Sequence, residues 1–176
     1  KTAIDFSAQI ETIENISPRV VFIPGHFFES AFIIKQADAE GLDVPFIGGD
    51  GWVDEMYEYG GKSIHGNYYT TQWHKEIDRK KSRWFVRKHL NMNGQKLSNE
   101  PAMALTYDAV MVLARAVKKA GSLNRARIRE SLSNISNFKG VTGDITFNSR
   151  GDPVNKSAVI LTFEDFGSVY HGTVQP

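Results

Sequence analysis

Apolar positions recur at helical spacing over residues 4–16, where Phe6, Ile10, Ile13 and Ile16 share a face and Ser17-Pro18 ends the run. Residues 19–24 form a short β-branched and aromatic run, which predicts a buried strand. Gly25-His26-Phe27-Phe28 reads as a tight connection. The helical period then resumes over 29–40 through Ala31, Ile34 and Ala37, with Gly41 placed as a C-cap. A second strand is predicted over 45–48, followed by the turn Gly49-Asp50-Gly51. A short helix over 53–59 stops at Gly60-Gly61, and residues 66–73 read as a third strand.

Three strands separated by helices imply right-handed βαβ units and a parallel sheet. In that topology ligands sit beyond the carboxyl ends of the strands. Those ends are Gly25-His26-Phe27, Gly49-Asp50-Gly51-Trp52 and Thr70-Thr71-Gln72.

The pattern changes after residue 75. A basic helix is predicted over 76–92, carrying Trp84, Phe85 and Leu90. A second helix, opened by Pro101, runs over 100–120 with Met103, Tyr107, Val110, Leu113, Ala114 and Val117 along one broad stripe. A third spans 124–136, with Asn124 positioned to cap it. Their apolar faces require cover, because each large side chain left in water forgoes roughly 1.5–3 kcal/mol. β structure returns over 143–147 and 157–163, and the turn Asn148-Ser149-Arg150-Gly151-Asp152 between them predicts a long-looped hairpin. The chain opens on a helix with no strand before it, and its middle third has no sheet of its own. Both features imply a larger protein without its N-terminal part.

Composition narrows the class. With 21 Lys and Arg against 20 Asp and Glu, the net charge of +1 exerts no global pull toward nucleic acid or membrane. The absence of cysteine removes disulfides, thiolate metal sites and a cysteine nucleophile. No apolar run is long enough to span a bilayer. The start Lys1-Thr2-Ala3-Ile4-Asp5 has neither an initiating Met nor an apolar leader, as expected of a mature or truncated product.

Several local strings, in this order, resemble the leucine/isoleucine/valine-binding protein family. They are Asp5-Phe6-Ser7-Ala8-Gln9, Val20-Val21-Phe22-Ile23-Pro24-Gly25, Ile34-Lys35-Gln36-Ala37 and Pro45-Phe46-Ile47-Gly48-Gly49-Asp50-Gly51-Trp52. Tyr69-Thr70-Thr71, Thr106-Tyr107-Asp108-Ala109-Val110, Phe138-Lys139-Gly140-Val141-Thr142-Gly143, and Phe147-Asn148 with Gly151-Asp152-Pro153 complete the set. The resemblance covers nearly all of the chain but about half of a full-length member. It implies the α/β type I periplasmic-binding fold, truncated at the N-terminus, in which two lobes close on a ligand about a hinge. Residues 1–74 would then belong to the second lobe, 75–137 would be a helical segment of the first, and 138–176 would return as hairpin and tail to the second.

By the same resemblance the chain is a solute-binding component of an ABC importer, working in the periplasm or outside the cell on a lipid anchor. Its partners would be an amino acid, branched-chain or similar, and the importer's membrane subunits. Asp50 would hold the ligand's ammonium, with Gly25, His26, Phe27, Gly51 and Trp52 around it. Thr71, Gln72 and Phe138 would lie at the hinge. Position alone leaves a second role for Asp50, capping the following helix. Members often carry tyrosine where His26 stands, so a titratable donor replaces a hydroxyl here. A loop histidine bonded to backbone is the other reading of His26. Trp52 fits either a cleft wall or packing beneath the helix, and Tyr107 reads as core. The first-lobe half of the site is absent, so this chain alone should bind weakly or not at all. The uncovered helices over 76–92 and 101–120 should dock on another copy of the chain, swap between chains, or be poorly ordered.

Other classes find less support. Arg79, Lys80, Lys81, Arg83, Arg87 and Lys88, interleaved with Trp84 and Phe85, form a patch that suits phosphates, but no nucleic-acid motif accompanies it. Gly48-Gly49-Asp50-Gly51 is neither GxGxxG nor a P-loop, and no GxSxG elbow occurs. His26, His65, His74, His89 and His171 lack metal-ligand spacing, so neither a metal nor a cofactor is expected and catalysis has no motif to rest on. A ligand-sensing domain of a receptor or regulator is the alternative that keeps the fold.

Overall fold

A computed structural model describes residues 4–94, 97 and 100–176. Over residues 4–71 helix and strand alternate in the predicted order, with Phe27 and Phe28 inside a helix where a connection was expected: α1 (Ser7–Ile16), β1 (Val21–Ile23), α2 (Phe27–Ala39), β2 (Phe46–Gly48), α3 (Met56–Gly60), a 3₁₀ turn (Gly61–Ile64) and β3 (Tyr68–Thr71). β1 pairs with β2, and β2 with β3, all parallel. α2 ends at Ala39 with Glu40 as its C-cap, one residue before the cap expected at Gly41, and Gly41 follows at φ +80°, a left-handed step that glycine takes without strain. Asn67 ties the 3₁₀ turn to the sheet. Its side-chain oxygen accepts from Phe46 N at 2.9 Å, and its amide donates to the Ile64 carbonyl at 3.0 Å.

Three helices follow: α4 (Lys80–Asn93), α5 (Glu100–Ala120) and α6 (Arg125–Ser133). Asn124 does cap α6, its side chain accepting from Ala126 N at 3.0 Å and Arg127 N at 3.3 Å. The remaining strands are β4 (Phe138–Lys139), β5 (Asp144–Ile145), β6 (Ala158–Glu164) and β7 (Gly167–Val174).

Strand pairing departs from the expected hairpin. Residues 143–147 and 157–163 are not partners. β5 turns back on β4, whereas β6 crosses to run antiparallel to β3, with Thr71 opposite Val159 and Tyr68 opposite Thr162. The expected turn over 148–152 is present, with Asn148 N donating to the Asp152 carbonyl at 2.9 Å, but it closes on an isolated bridge between Phe147 and Pro153 and not on a hairpin with β6. The sheet order is β1-β2-β3-β6-β7, and β7 is an added edge strand that the sequence reading did not contain. Its segment GSVYHGTV alternates only weakly in polarity, which hid it.

The chain divides into two compact units. One takes in the residues up to Thr71 together with Val159–Gly172, and the other comprises Gln72–Ala158 and Thr173–Pro176. The division after Ala158 falls later than the return at residue 138 expected from the resemblance. In the first unit Phe163 is the centre of an aromatic core, stacked on Tyr69 at 5.0 Å with Trp52 at 6.2 Å. In the second, the middle helices have partners within the chain itself. Trp73, Phe85, Leu97, Ala104 and Val141 form one cluster, and Val112, Ala116, Ile135, Phe138 and Ile145 another. Among the described residues no helix is long and apolar enough to cross a membrane.

Candidate ligand-binding site

Because β1, β2 and β3 run in the same direction, their following connections emerge at one edge of the sheet. Two of these connections meet there. A Cβ at Gly51 would stand 3.0 Å from the Gly25 carbonyl oxygen and 3.5 Å from both Cα and Nδ1 of His26. Glycine at 51 therefore lets the Gly49-Asp50-Gly51 turn lie against the Gly25-His26 turn with no side chain between them. Gly25 is itself crowded, since a Cβ there would lie 3.0 Å from Ser30 Oγ.

Asp50 is exposed at this edge. The capping role that its position suggested is not what the structure shows: α3 starts only at Met56, with Glu55 in the N-cap position. His26 occupies the N-cap position of α2 in an extended conformation and makes no side-chain capping bond. Its carbonyl accepts from Ser30 N at 3.2 Å, and the residue is exposed. Phe27 is half-buried with its ring 6.1 Å from Tyr59, so its side chain braces α2 against α3.

Trp52 takes the packing role of the two considered. It is 1% exposed, with its indole over Gly48 and beside Phe163. A ring with no open face cannot wall a ligand within this unit, so Trp52 supports the Asp50 turn from beneath. Ser30, one turn into α2 and fully buried, went unnoticed in the sequence because Glu29-Ser30 reads as ordinary helix. Its hydroxyl finds no partner among the described residues and sits directly under the Gly25 turn.

The positions expected at the hinge fall in three places. Thr71 closes β3 and is buried, Gln72 opens the second unit, and Phe138 begins β4 within it. Tyr107 packs against the Trp73–Phe85 cluster, as core. Its neighbour Asp108 is the residue that sequence reasoning passed over. Its carboxylate is buried and hydrogen bonded to the β4–β5 connection.

Residues 1–165 match the family model described as periplasmic binding protein. The chain belongs to that family. Among curated proteins it is 29% identical to Leu/Ile/Val-binding protein homolog 1 of Brucella suis, over 91% of this chain and 42% of that one. The leucine-, isoleucine-, valine-, threonine-, and alanine-binding protein of Pseudomonas aeruginosa is likewise 29% identical, over 86% of this chain and 40% of that one. Among solved structures, the leucine-binding protein LivK of Thermotoga maritima superposes with a TM-score of 0.87 at 31% identity, covering 99% of this chain and 49% of that one. The branched-chain amino acid transporter substrate-binding protein LivJ of Streptococcus pneumoniae, solved with isoleucine, gives 0.80 at 25% identity, covering 99% and 49%. The fold is thus that of the type I periplasmic binding proteins. The chain spans a little under half the length of these relatives.

Proposed function

We propose that this chain is the C-terminal part of an extracytoplasmic solute-binding protein that captures an amino acid, branched-chain or similar, for an ABC importer. The observation that carries the reading is the meeting of the Gly25-His26 and Gly49-Asp50-Gly51 turns at the carboxyl edge of a parallel sheet. This meeting occurs in a chain whose relatives are named for binding leucine, isoleucine and valine.

The chemistry follows from the groups at that edge. The Asp50 carboxylate accepts charge-assisted hydrogen bonds from the ligand's ammonium, and these are about twice as strong as neutral ones. Flanking glycines let the ligand approach the backbone without a side chain intervening. His26 offers a ring nitrogen at the mouth, and Phe27 holds α2 in place behind it. Gly25 and Gly51 set the separation of the two turns. Closure about the crossing at Thr71 and Gln72 would complete the site with groups that this chain does not contain, whereas Phe138, in the core of the second unit, does not serve as a pivot. Such a protein works in the periplasm, or outside the cell on a lipid anchor, and delivers its ligand to membrane subunits of the importer. Nothing in its chemistry calls for catalysis.

Calorimetric titration of the full-length parent protein against a panel of amino acids and small carboxylates tests this. Micromolar binding of an amino acid, weakened at least about tenfold by Asp50→Ala, is expected for loss of a charge-assisted contact. Binding confined to ligands without an amine would remove Asp50 from its role, and no binding across the panel would overturn the reading.

A further inference from the structure

A buried, hydrogen-bonded polar cluster outside the candidate site lies within the second unit. Asp108, midway along α5, is 2% exposed. Its carboxylate accepts from Val141 N at 2.7 Å, from Thr142 N at 2.8 Å and from Thr142 Oγ1 at 2.8 Å. The turn that it grips is tight, with Gly140 N donating to the Gly143 carbonyl at 2.9 Å. There is no room for a side chain at Gly140, where a Cβ would stand 2.5 Å from Asp108 Oδ2.

Lys156 completes the cluster. Its ammonium donates to the Thr142 carbonyl at 2.8 Å and to Thr142 Oγ1 at 3.2 Å. The Thr142 hydroxyl therefore donates to Asp108 and accepts from Lys156, so that a carboxylate and an ammonium are joined through one residue. Burial draws the Lys156 ammonium below its ordinary pKa, and the charge of Asp108 opposes that shift. Withdrawing charges from water in this way is weak evidence for added stability, because the desolvation penalty offsets most of the attraction. Geometric definition is the better account of the arrangement. Lys156 stands two residues before Ala158, where the chain leaves the second unit for β6 of the first.

We infer that the Asp108–Thr142–Lys156 relay anchors this crossing to α5, making Lys156 a positioning residue that confines inter-unit motion to the few bonds beyond it. Without the relay, the loop over 148–156, which carries only local turns and one isolated bridge, would share in the motion. The inference rests on the hinge-closing reading above.

The experiment measures the inter-unit distance distribution in the ligand-free, full-length protein by pulsed electron paramagnetic resonance. Spin labels go on Lys62→Cys in the first unit and Lys118→Cys in the second. Both positions are exposed, and this chain contributes no cysteine of its own. Lys156→Met is expected to broaden the distribution about twofold, as hinge motion spreads along the loop. Lys156→Arg, which keeps a donor, is expected to restore it, and Arg150→Met, which removes an exposed cation from the same loop, to leave it unchanged. Thr142→Val, which breaks the relay at its centre, carries the same expectation as Lys156→Met should that variant fail to fold. A Lys156→Met distribution as narrow as the parent's would overturn the inference whatever happens to the melting temperature, and so would equal broadening in Arg150→Met. Because no ligand is present, the outcome is independent of whether the calorimetry finds an amino acid.

Discussion

At the scale of single residues, close packing separates the glycines that matter from those that merely turn the chain. A methyl group on Gly48 would overlap the indole of Trp52, which is enclosed on every side and cannot step away. Gly48→Ala should therefore lower stability by about 1–3 kcal/mol, the usual range for overpacking a filled core. Urea denaturation followed by tryptophan fluorescence measures it, and a change within a few tenths would mean that the ring has room. Asp144 offers a test by pH. The Lys139 ammonium, hydrogen bonded at 2.6 Å, with Arg79 adding to it, holds its carboxyl below the ordinary value of 3.8. A folded-state value that is depressed contributes stability above the unfolded value, and that contribution is lost as pH falls through the folded one. Stability of the parent should thus fall more steeply below pH 3.8 than that of Asp144→Asn, with the gap closing once the parent's Asp144 carboxyl is protonated in the folded state as well as the unfolded. The exposed place of Asp50 at the end of β2 was legible because two glycines and a strand end mark it. Trp52 was not, since sequence spacing cannot say which side of a turn an indole enters. Asp108 was invisible for a related reason, its three donors coming from residues 33 and 34 positions away.

At the scale of elements, local signals proved reliable and long-range pairing did not. The helix caps show the first point. Asn124 reads as an N-cap from sequence and acts as one, so Asn124→Ala should cost about 1 kcal/mol, seen as a lower unfolding midpoint with an unchanged slope. An unchanged midpoint would mean that α6 frays before the rest of its unit unfolds. Strand β6 shows the second point. Its run of apolar residues announced a strand, but its partner β3 lies roughly ninety positions earlier, where no turn chemistry points to it. A hairpin with the preceding segment was the local solution, and the sheet overrides it because β6 buries Val159, Leu161 and Phe163 against the core that β3 already lines. Helix α5 shows a subtler override. The stripe that dominates its sequence pattern is split: Met103 and Tyr107 pack against the Trp73–Phe85 cluster, whereas Val110 and Leu113 stay exposed. Ala104, Asp108, Val112 and Ala116 form the most buried face.

At the scale of the whole molecule, α5 is therefore apolar on two opposite faces, and a helix of that kind belongs in the interior of a larger assembly. Val110 is 59% exposed and Leu113 48%, and in the first unit Phe22 on edge strand β1 is 63% exposed. These side chains stand uncovered in a chain that spans a little under half the length of its relatives. Water contact at several such positions is worth on the order of 1.5–3 kcal/mol each, enough to drive association between copies when nothing else supplies cover. The 19.7 kDa chain should accordingly sediment as a monomer only at low concentration and as dimers or larger species as concentration rises. A Val110→Glu, Leu113→Glu double variant places two charges on the open face without touching the buried one, so it should sediment as a monomer over a wider range while its helical circular dichroism stays the same. If the parent sediments as a monomer throughout, the face of α5 does not drive association. If the double variant associates as strongly as the parent, the sticking surface is the edge that carries Phe22, and Phe22→Lys becomes the variant that should dissolve it.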